Sequence, residues 1–298
     1  MKRSISILAL VFLFVSLLMI EHAFAGAWTV PKYKVWGEVY QKWNYATRGF
    51  NSDWQSEKLT NGTKNWEYVM EPKLEYGVTD WLNALFSIEY KEGRCKQYDR
   101  PAAWGSFTRK NNAVTNIKIG GKLRFLDTPV ILSTQTRVFI NPGYGIDHGD
   151  DRFANSNQPG LGKGDDAVEQ RILAGKTFNI PFTEKFKIPF YAGAETGYRW
   201  RTRHVCNDIP YFVEGGFWVR PWLLIKSELD GYKHHGGTGS IKESYGIWRA
   251  GCVWQVFGDS TLREDNKMFN LEFQYGRTVW GKNTNDVQEL VLKVQSQF

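Results

Sequence analysis

The sequence predicts an all-β chain that closes on itself as an antiparallel transmembrane β-barrel of about twelve strands, with short periplasmic turns and long extracellular loops. Three observations carry this. Apolar and charged residues alternate with period two in run after run. The connections between the runs alternate between tight and long. The chain opens with an export signal, and no later apolar run is long enough for a membrane helix.

The N-terminus sets the compartment. Met1-Lys2-Arg3 is followed by apolar and Ser residues from 5 to 20, then by Ala23-Phe24-Ala25 before Gly26. A basic start, an apolar middle and an A-x-A site make a secretory signal peptide of residues 1–25, leaving 26–298 as one barrel domain. Hydrophobic residues are 42% of the chain, yet mean hydropathy is −0.44. A helical membrane protein does not combine these values, whereas a barrel does, because half of its wall faces a polar interior. Thirteen Trp and fourteen Tyr suit two interfacial girdles. Lys2, Arg3 and Glu21 supply +1 of the formal +7, leaving +6 on residues 26–298. That excess suits anionic solutes or an anionic lipid surface and is too diffuse to indicate nucleic acid.

The first strand is expected over residues 33–45, where Tyr33, Val35, Val39, Trp43 and Tyr45 alternate with Lys34, Glu38 and Lys42. After a polar stretch, 47–64, comes a hairpin over 66–90. Trp66, Tyr68, Met70, Leu74 and Tyr76 share one face and Glu67, Glu71, Lys73 and Glu75 the other. Gly77-Val78-Thr79-Asp80 make its tight turn, and Leu82, Ala84, Phe86, Ile88 and Tyr90 resume the apolar set. A polar loop over 91–112 precedes the fourth strand. There Ile117, Ile119, Leu123 and Phe125 oppose Asn116, Lys118, Lys122 and Arg124. The fifth strand, 130–140, carries Arg137 on its polar face.

The longest loop is expected over 141–166. The sixth strand, 167–178, sets Glu169 and Arg171 against Ile172 and Ala174, and the seventh, from 186, sets Lys187, Glu195 and Arg199 against Phe190, Ala192 and Ala194. The eighth, 209–220, opposes Glu214 to Val213 and Phe217, with Pro221 at the turn. The ninth, 223–230, places Lys226 and Glu228 opposite Leu223, Ile225 and Leu229. The tenth, 248–256, carries Arg249, and the eleventh, 269–275, carries Glu272. A loop over 281–285 leads to the last strand, 287–298, whose Leu290, Leu292, Val294 and Phe298 form one face.

Two orientations satisfy these faces. In a water-soluble sandwich the aromatic face packs inward; in a barrel it faces lipid. Alternating loop lengths favour the barrel, and closure satisfies every backbone group in lipid. A cation at mid-bilayer on the lipid face costs about 2–4 kcal/mol. The outward faces are almost free of charge, with Lys176 the awkward case, near a strand end where it can snorkel. The expected lumen residues are Glu67, Glu71, Glu75, Lys118, Lys122, Arg124, Arg137, Arg171, Glu195, Arg199, Glu214, Lys226, Glu228, Arg249 and Glu272. Glu67, Glu71 and Glu75 are expected to face a basic wall of Lys118, Lys122 and Arg124. Such a lumen is either a charged conduit or a salt-bridge lattice that stiffens a closed barrel.

Other chemistry is weakly supported. No G-x-S-x-G occurs, and His148, His204, His234 and His235 fall in loops or at strand ends. Asp147–Asp151 and Asp165-Asp166 are acidic but lack an EF-hand pattern. No catalytic residue, metal or cofactor is expected. Three cysteines give no disulfide framework. Cys95 and Cys206, both in expected loops on one side, are candidates for a single bridge.

The terminal Phe298 at the end of an alternating strand resembles the assembly signal of bacterial outer-membrane proteins. Ala27-Trp28-Thr29-Val30-Pro31-Lys32, Phe50-Asn51-Ser52-Asp53 and Tyr76-Gly77-Val78-Thr79-Asp80 resemble features of the outer-membrane proteins named after the meta-pathway of phenol degradation. These motifs lie in the first third of the chain. The resemblance implies a signal-bearing barrel acting as a channel. The expected function is an outer-membrane channel or uptake porin for small solutes. Its partners are outer-membrane lipid and, through the last strand, the barrel-assembly machinery. A structural or export-associated barrel with a plugged lumen is the alternative, and an outer-membrane hydrolase a more distant one.

Overall fold

Twelve long antiparallel strands wind into a closed wall. The computed structural model describes residues 26–98, 106–142, 161–162, 164–181, 187–202, 205–237, 242–257 and 268–298; the expected signal peptide, 1–25, lies outside them. The strands are β1 (Val35–Phe50), β2 (Ser56–Lys58), β3 (Lys64–Gly77), β4 (Leu82–Tyr98), β5 (Ser106–Leu126), β6 (Ile131–Ile140), β7 (Ala167–Pro181), β8 (Lys187–Arg201), β9 (Asp208–Arg220), β10 (Leu223–His234), β11 (Ser244–Phe257), β12 (Met268–Lys282) and β13 (Thr284–Gln297). β2 is a three-residue strand that pairs with the far end of β1. Each of the others pairs with its neighbours in sequence, and β13 returns to pair with β1 from Trp36↔Gln297 to Phe50↔Thr284. The seam continues through Phe298, whose N–H and carbonyl both bond Val35, at 3.0 and 2.8 Å. Closure leaves the wall no unpaired edge.

The alternation decides which face is which. Ile172, Leu290, Trp254 and Phe273 are 60, 58, 55 and 55% exposed, while Glu169, Glu272 and Glu289 are at most 1% exposed. A water-soluble protein has this arrangement the other way round. So much contiguous apolar surface on the outside belongs in lipid, and the inward carboxylates are satisfied by cations across the strands. Trp81, Trp222, Trp254 and Phe125 lie outward near the end that carries the chain termini. Trp66 and Trp200 lie outward near the opposite end. These are the two girdles anticipated from the aromatic content. Lys176 is exposed on the outer face of β7, five residues from the turn-end terminus of that strand.

Several expectations change. The polar stretch 91–112 is mostly strand, since β4 runs to Tyr98 and β5 starts at Ser106. Beyond the membrane both faces of a hairpin can be polar, so the ladder continues where the hydropathy signal stops. The connection expected over 281–285 is mostly strand: β12 runs to Lys282 and β13 starts at Thr284, with Asn283 between them at a left-handed φ of 52°, a conformation Asn tolerates. Conversely, ten residues separate β11 from β12, on the side expected to carry tight turns. No disulfide joins Cys95 to Cys206; both are thiols. Cys95 lies within β4, opposite Asn65 and Arg109. Cys206 lies between β8 and β9, four strands further round the wall, beyond the reach of a bridge.

β5 bulges against β4. Glu89 pairs with Asn116 but Tyr90 with Val114, so Thr115 is the extra residue in β5. Both Thr115 and Asn116 therefore turn inward and donate to Glu89 Oε1, at 2.6 and 2.9 Å. Beyond the bulge the odd residues of β5 face inward and the even ones outward.

Candidate functional site

The interior has two storeys. At the end that carries the termini, residues 26–31 enter the barrel and stop it. Ala27, Trp28, Thr29 and Val30 are all buried. Ser133 donates its hydroxyl to the Ala27 carbonyl, and Lys122 Nζ reaches the Gly26 carbonyl at 3.3 Å. Thr29 Oγ1 donates to the Asp80 carbonyl at 2.8 Å, and the Lys32 N–H to its carboxylate at 3.1 Å. Trp28 packs with Ala27, Leu173 and Tyr191, and Ile131, Trp218 and Leu224 close around them. This cluster reaches from β6 to β10, and the polar ties add β5 and the β3–β4 turn. Apolar side chains here replace the charges found elsewhere along the inner wall.

Above the stopper a cavity of about 840 Å³ extends from Gly26 to Thr284 and Asn285 at the opposite end. Its walls are charged, and most of the charges pair within three groups. On β6–β8, the fully buried Glu169 is held by Arg137 at 2.7 Å, Arg171 at 2.8 Å and Arg199 at 2.5 Å. Arg171 also pairs with Glu195 at 3.0 Å. On β9–β13, Lys226 is held by Glu214, Glu228 and Glu272 at 3.1–3.2 Å. Arg249 bonds Glu228, Asp230 and Glu289, and Lys293 pairs with Glu272 at 2.8 Å. On β3–β5, Lys118 lies between Glu71 and Glu89, at 2.8 and 3.2 Å, while Glu67 accepts from Asn44 at 2.8 Å.

The sequence-expected residues therefore divide. Glu67, Glu71, Lys118, Arg137, Arg171 and Glu195 line the cavity, as do Arg199, Glu214, Lys226, Glu228 and Arg249. Glu272 is buried in the wall beside Lys226 and Lys293. Glu75 and Lys122 pair at 2.6 Å beside the stopper instead. Arg124 is not in the lumen: it lies at the turn-end rim, paired with Asp127 at 2.9 Å and donating to the Asp80 carbonyl. It is the last inward position of β5 before the turn, so the strand runs out beneath it.

Sequence reasoning missed the stopper and several partners. Glu169 and Glu289 alternate correctly and belong with the expected set. Glu38, which pairs with Lys73 at 2.8 Å, and Arg201, which bridges Asp165 and Asp208 at 2.8 and 2.6 Å, follow the same parity. Asp165 is thus committed to Arg201, and Asp166 accepts the Asn141 N–H. Among the described residues no cluster fit for a metal forms. His234 Nδ1 lies 2.7 Å from Ser244 Oγ, but Ser244 is fully buried, so this pair ties β10 to β11. His148 and His204 lie outside the described residues.

A solved outer-membrane channel from Pseudomonas putida F1 is similar over 93% of this chain and all of that one, with 15% identity and a TM-score of 0.58. This is an outer-membrane β-barrel fold. The transport unit of the autotransporter AIDA-I from Escherichia coli is similar over 94% of this chain and 93% of its own, with 10% identity and a TM-score of 0.46. The translocator domain of the autotransporter NalP from Neisseria meningitidis covers 91% and 89%, with 7% identity and a TM-score of 0.40. No protein-family model and no curated protein matches the chain.

Proposed function

We propose that the protein is an outer-membrane channel for small polar solutes whose exit, in this conformation, is closed by residues 26–31. The observation that carries the reading is the charged cavity of about 840 Å³ standing directly above that stopper. A barrel built only as a rigid post has no use for interior space of this size. A second reading, a structural or export-associated barrel, is favoured by the pairing of its interior charges. The channel reading gains support from the similar Pseudomonas putida protein, which is described as a channel, and from the resemblance of residues 27–32, 50–53 and 76–80 to the phenol meta-pathway family.

In this reading the end bearing the termini faces the periplasm and Phe298 presents the last strand to the assembly machinery. The signal peptide is removed after Ala25, which frees the segment 26–31 to fold back into the lumen. The three guanidinium groups on β6–β8 face three carboxylates, Glu169, Glu195 and Asp208, whereas Lys226, Arg249 and Lys293 face five. A lumen balanced on one wall and acidic on another accepts polar solutes of either sign.

The test is conductance in planar bilayers of the chain starting at Gly26 and of a chain lacking residues 26–31. Brief, rare openings of the first and steady current through the second are expected. No current through either would leave the structural reading in place of the channel.

A further inference from the structure

At the floor of the cavity the stopper and the wall are fitted to each other. Gly26 lines the cavity beside Glu195 of β8. A Cβ on Gly26 would overlap Glu195 Oε1 and come within 3.2 Å of Leu173 Cδ2. The amino nitrogen of Gly26 is bonded to the same Cα, so it too stands within ion-pair reach of that oxygen. Glu195 Oε2 is already held by Arg171 at 3.0 Å, and Oε1 is the oxygen turned to Gly26. On the other side of the same residue, Lys122 Nζ lies 3.3 Å from the Gly26 carbonyl oxygen. Gly26 is thus met by a carboxylate at its nitrogen end and by an ammonium at its oxygen end.

As an amide, the Gly26 nitrogen offers Glu195 one neutral N–H. As an α-amine it offers three and a full charge, because such a group titrates at about 8 and is mostly cationic at neutral pH. Hydrogen bonds between charged partners are roughly twice as strong as neutral ones. Hydrolysis of the Ala25–Gly26 bond makes the change. Water adds across the amide, Ala25 leaves as a carboxylate, and the Gly26 nitrogen keeps the bonding pair and is protonated to an ammonium. An uncut chain also has residues 1–25 attached at this nitrogen, among them the apolar run from 5 to 20. Placed in the cavity, that run would strip water from the charges of its walls.

We propose that Glu195 and Lys122 form a docking site in the barrel wall for the α-ammonium and first carbonyl of the cut chain, so that cleavage itself seats the stopper. The site rests on the reading that cleavage follows Ala25 and does not depend on conduction.

The experiment uses the protein extracted from the membrane and placed in phosphatidylcholine nanodiscs. Its intact mass identifies the first residue, expected to be Gly26. A pulse of acetic anhydride at neutral pH then labels free amines, and acetylation of the α-amine is read from the N-terminal peptide. The parent should react about tenfold more slowly than Glu195→Gln, the factor that one pH unit in the titration of the amine produces. A chain with Ala-Ser inserted ahead of Gly26 carries its ammonium away from Glu195. It should react at the fast rate with either Glu or Gln at position 195, which separates loss of the contact from a general loosening of the barrel. Equal rates in the parent and Glu195→Gln, or a slow rate in the lengthened chain, would overturn the contact. A mature chain that starts anywhere but Gly26 would overturn the proposal one step earlier, at cleavage. Bilayer currents report separately on the channel, so its failure is distinguishable from a failure of this site.

Discussion

The indole of Trp28 occupies the space that a side chain at position 175 would need: a Cβ on Gly175 would come within 2.2 Å of the ring atom Cζ3. Gly175 belongs to β7 and Trp28 to the segment threaded through the barrel, so a wall strand and a non-wall segment fit each other. Trp28→Ala removes the largest apolar piece of the stopper, a change that costs about 3–5 kcal/mol in a packed core. Each 1.4 kcal/mol is tenfold in population, so open probability in bilayers should rise by at least about a hundredfold. Gly175→Val should act in the same direction by excluding the ring. Unaltered currents in both variants would mean that the segment does not gate.

Glu169 has three guanidinium groups around one buried carboxylate. Glu169→Gln keeps the shape and leaves Arg137, Arg171 and Arg199 without their shared counter-charge. Breaking a buried pair in this way costs about 3–5 kcal/mol. The midpoint for loss of the compact, heat-modifiable form on a gel should fall clearly. Glu67→Gln, which disturbs one bond to Asn44, should leave it nearly unchanged.

Lys226 is the mirror case, a single ammonium among Glu214, Glu228 and Glu272. Lys226→Met should destabilise the barrel by a similar amount. Adding Glu214→Gln should restore part of the loss, because it removes one of the carboxylates left without a cation. Denaturant unfolding of the two single variants and the double variant measures the coupling. Additive losses would show that the group does not act as a unit.

Ile172 stands at the middle of β7 on the lipid face, next in sequence to the lumen residue Arg171. Ile172→Arg should cost about 2–4 kcal/mol in bilayer unfolding measurements. Ile172→Leu should cost almost nothing. An Arg tolerated as well as Leu would place this face away from the bilayer core.

Much of the wall follows from the sequence alone, and the reason is geometric. A strand turns each successive side chain to the opposite face, so parity suffices to put Glu71, Glu169, Lys226 and Glu272 inside and Ile172, Trp254 and Leu290 outside. Parity cannot say which charges meet, because neighbours across strands depend on register and shear. Glu75 finds Lys122, not Arg124, for that reason, and Arg124 passes out at the rim. Cys95 and Cys206 lay on the same side of the expected topology, yet only the closed wall shows how many strands separate them. The stopper has no period at all: Ala27-Trp28-Thr29-Val30-Pro31 becomes intelligible once a barrel exists for it to fill. Alternation is local and is written along the chain; the pairing of lumen charges and the closing of one end depend on all twelve strands being in place.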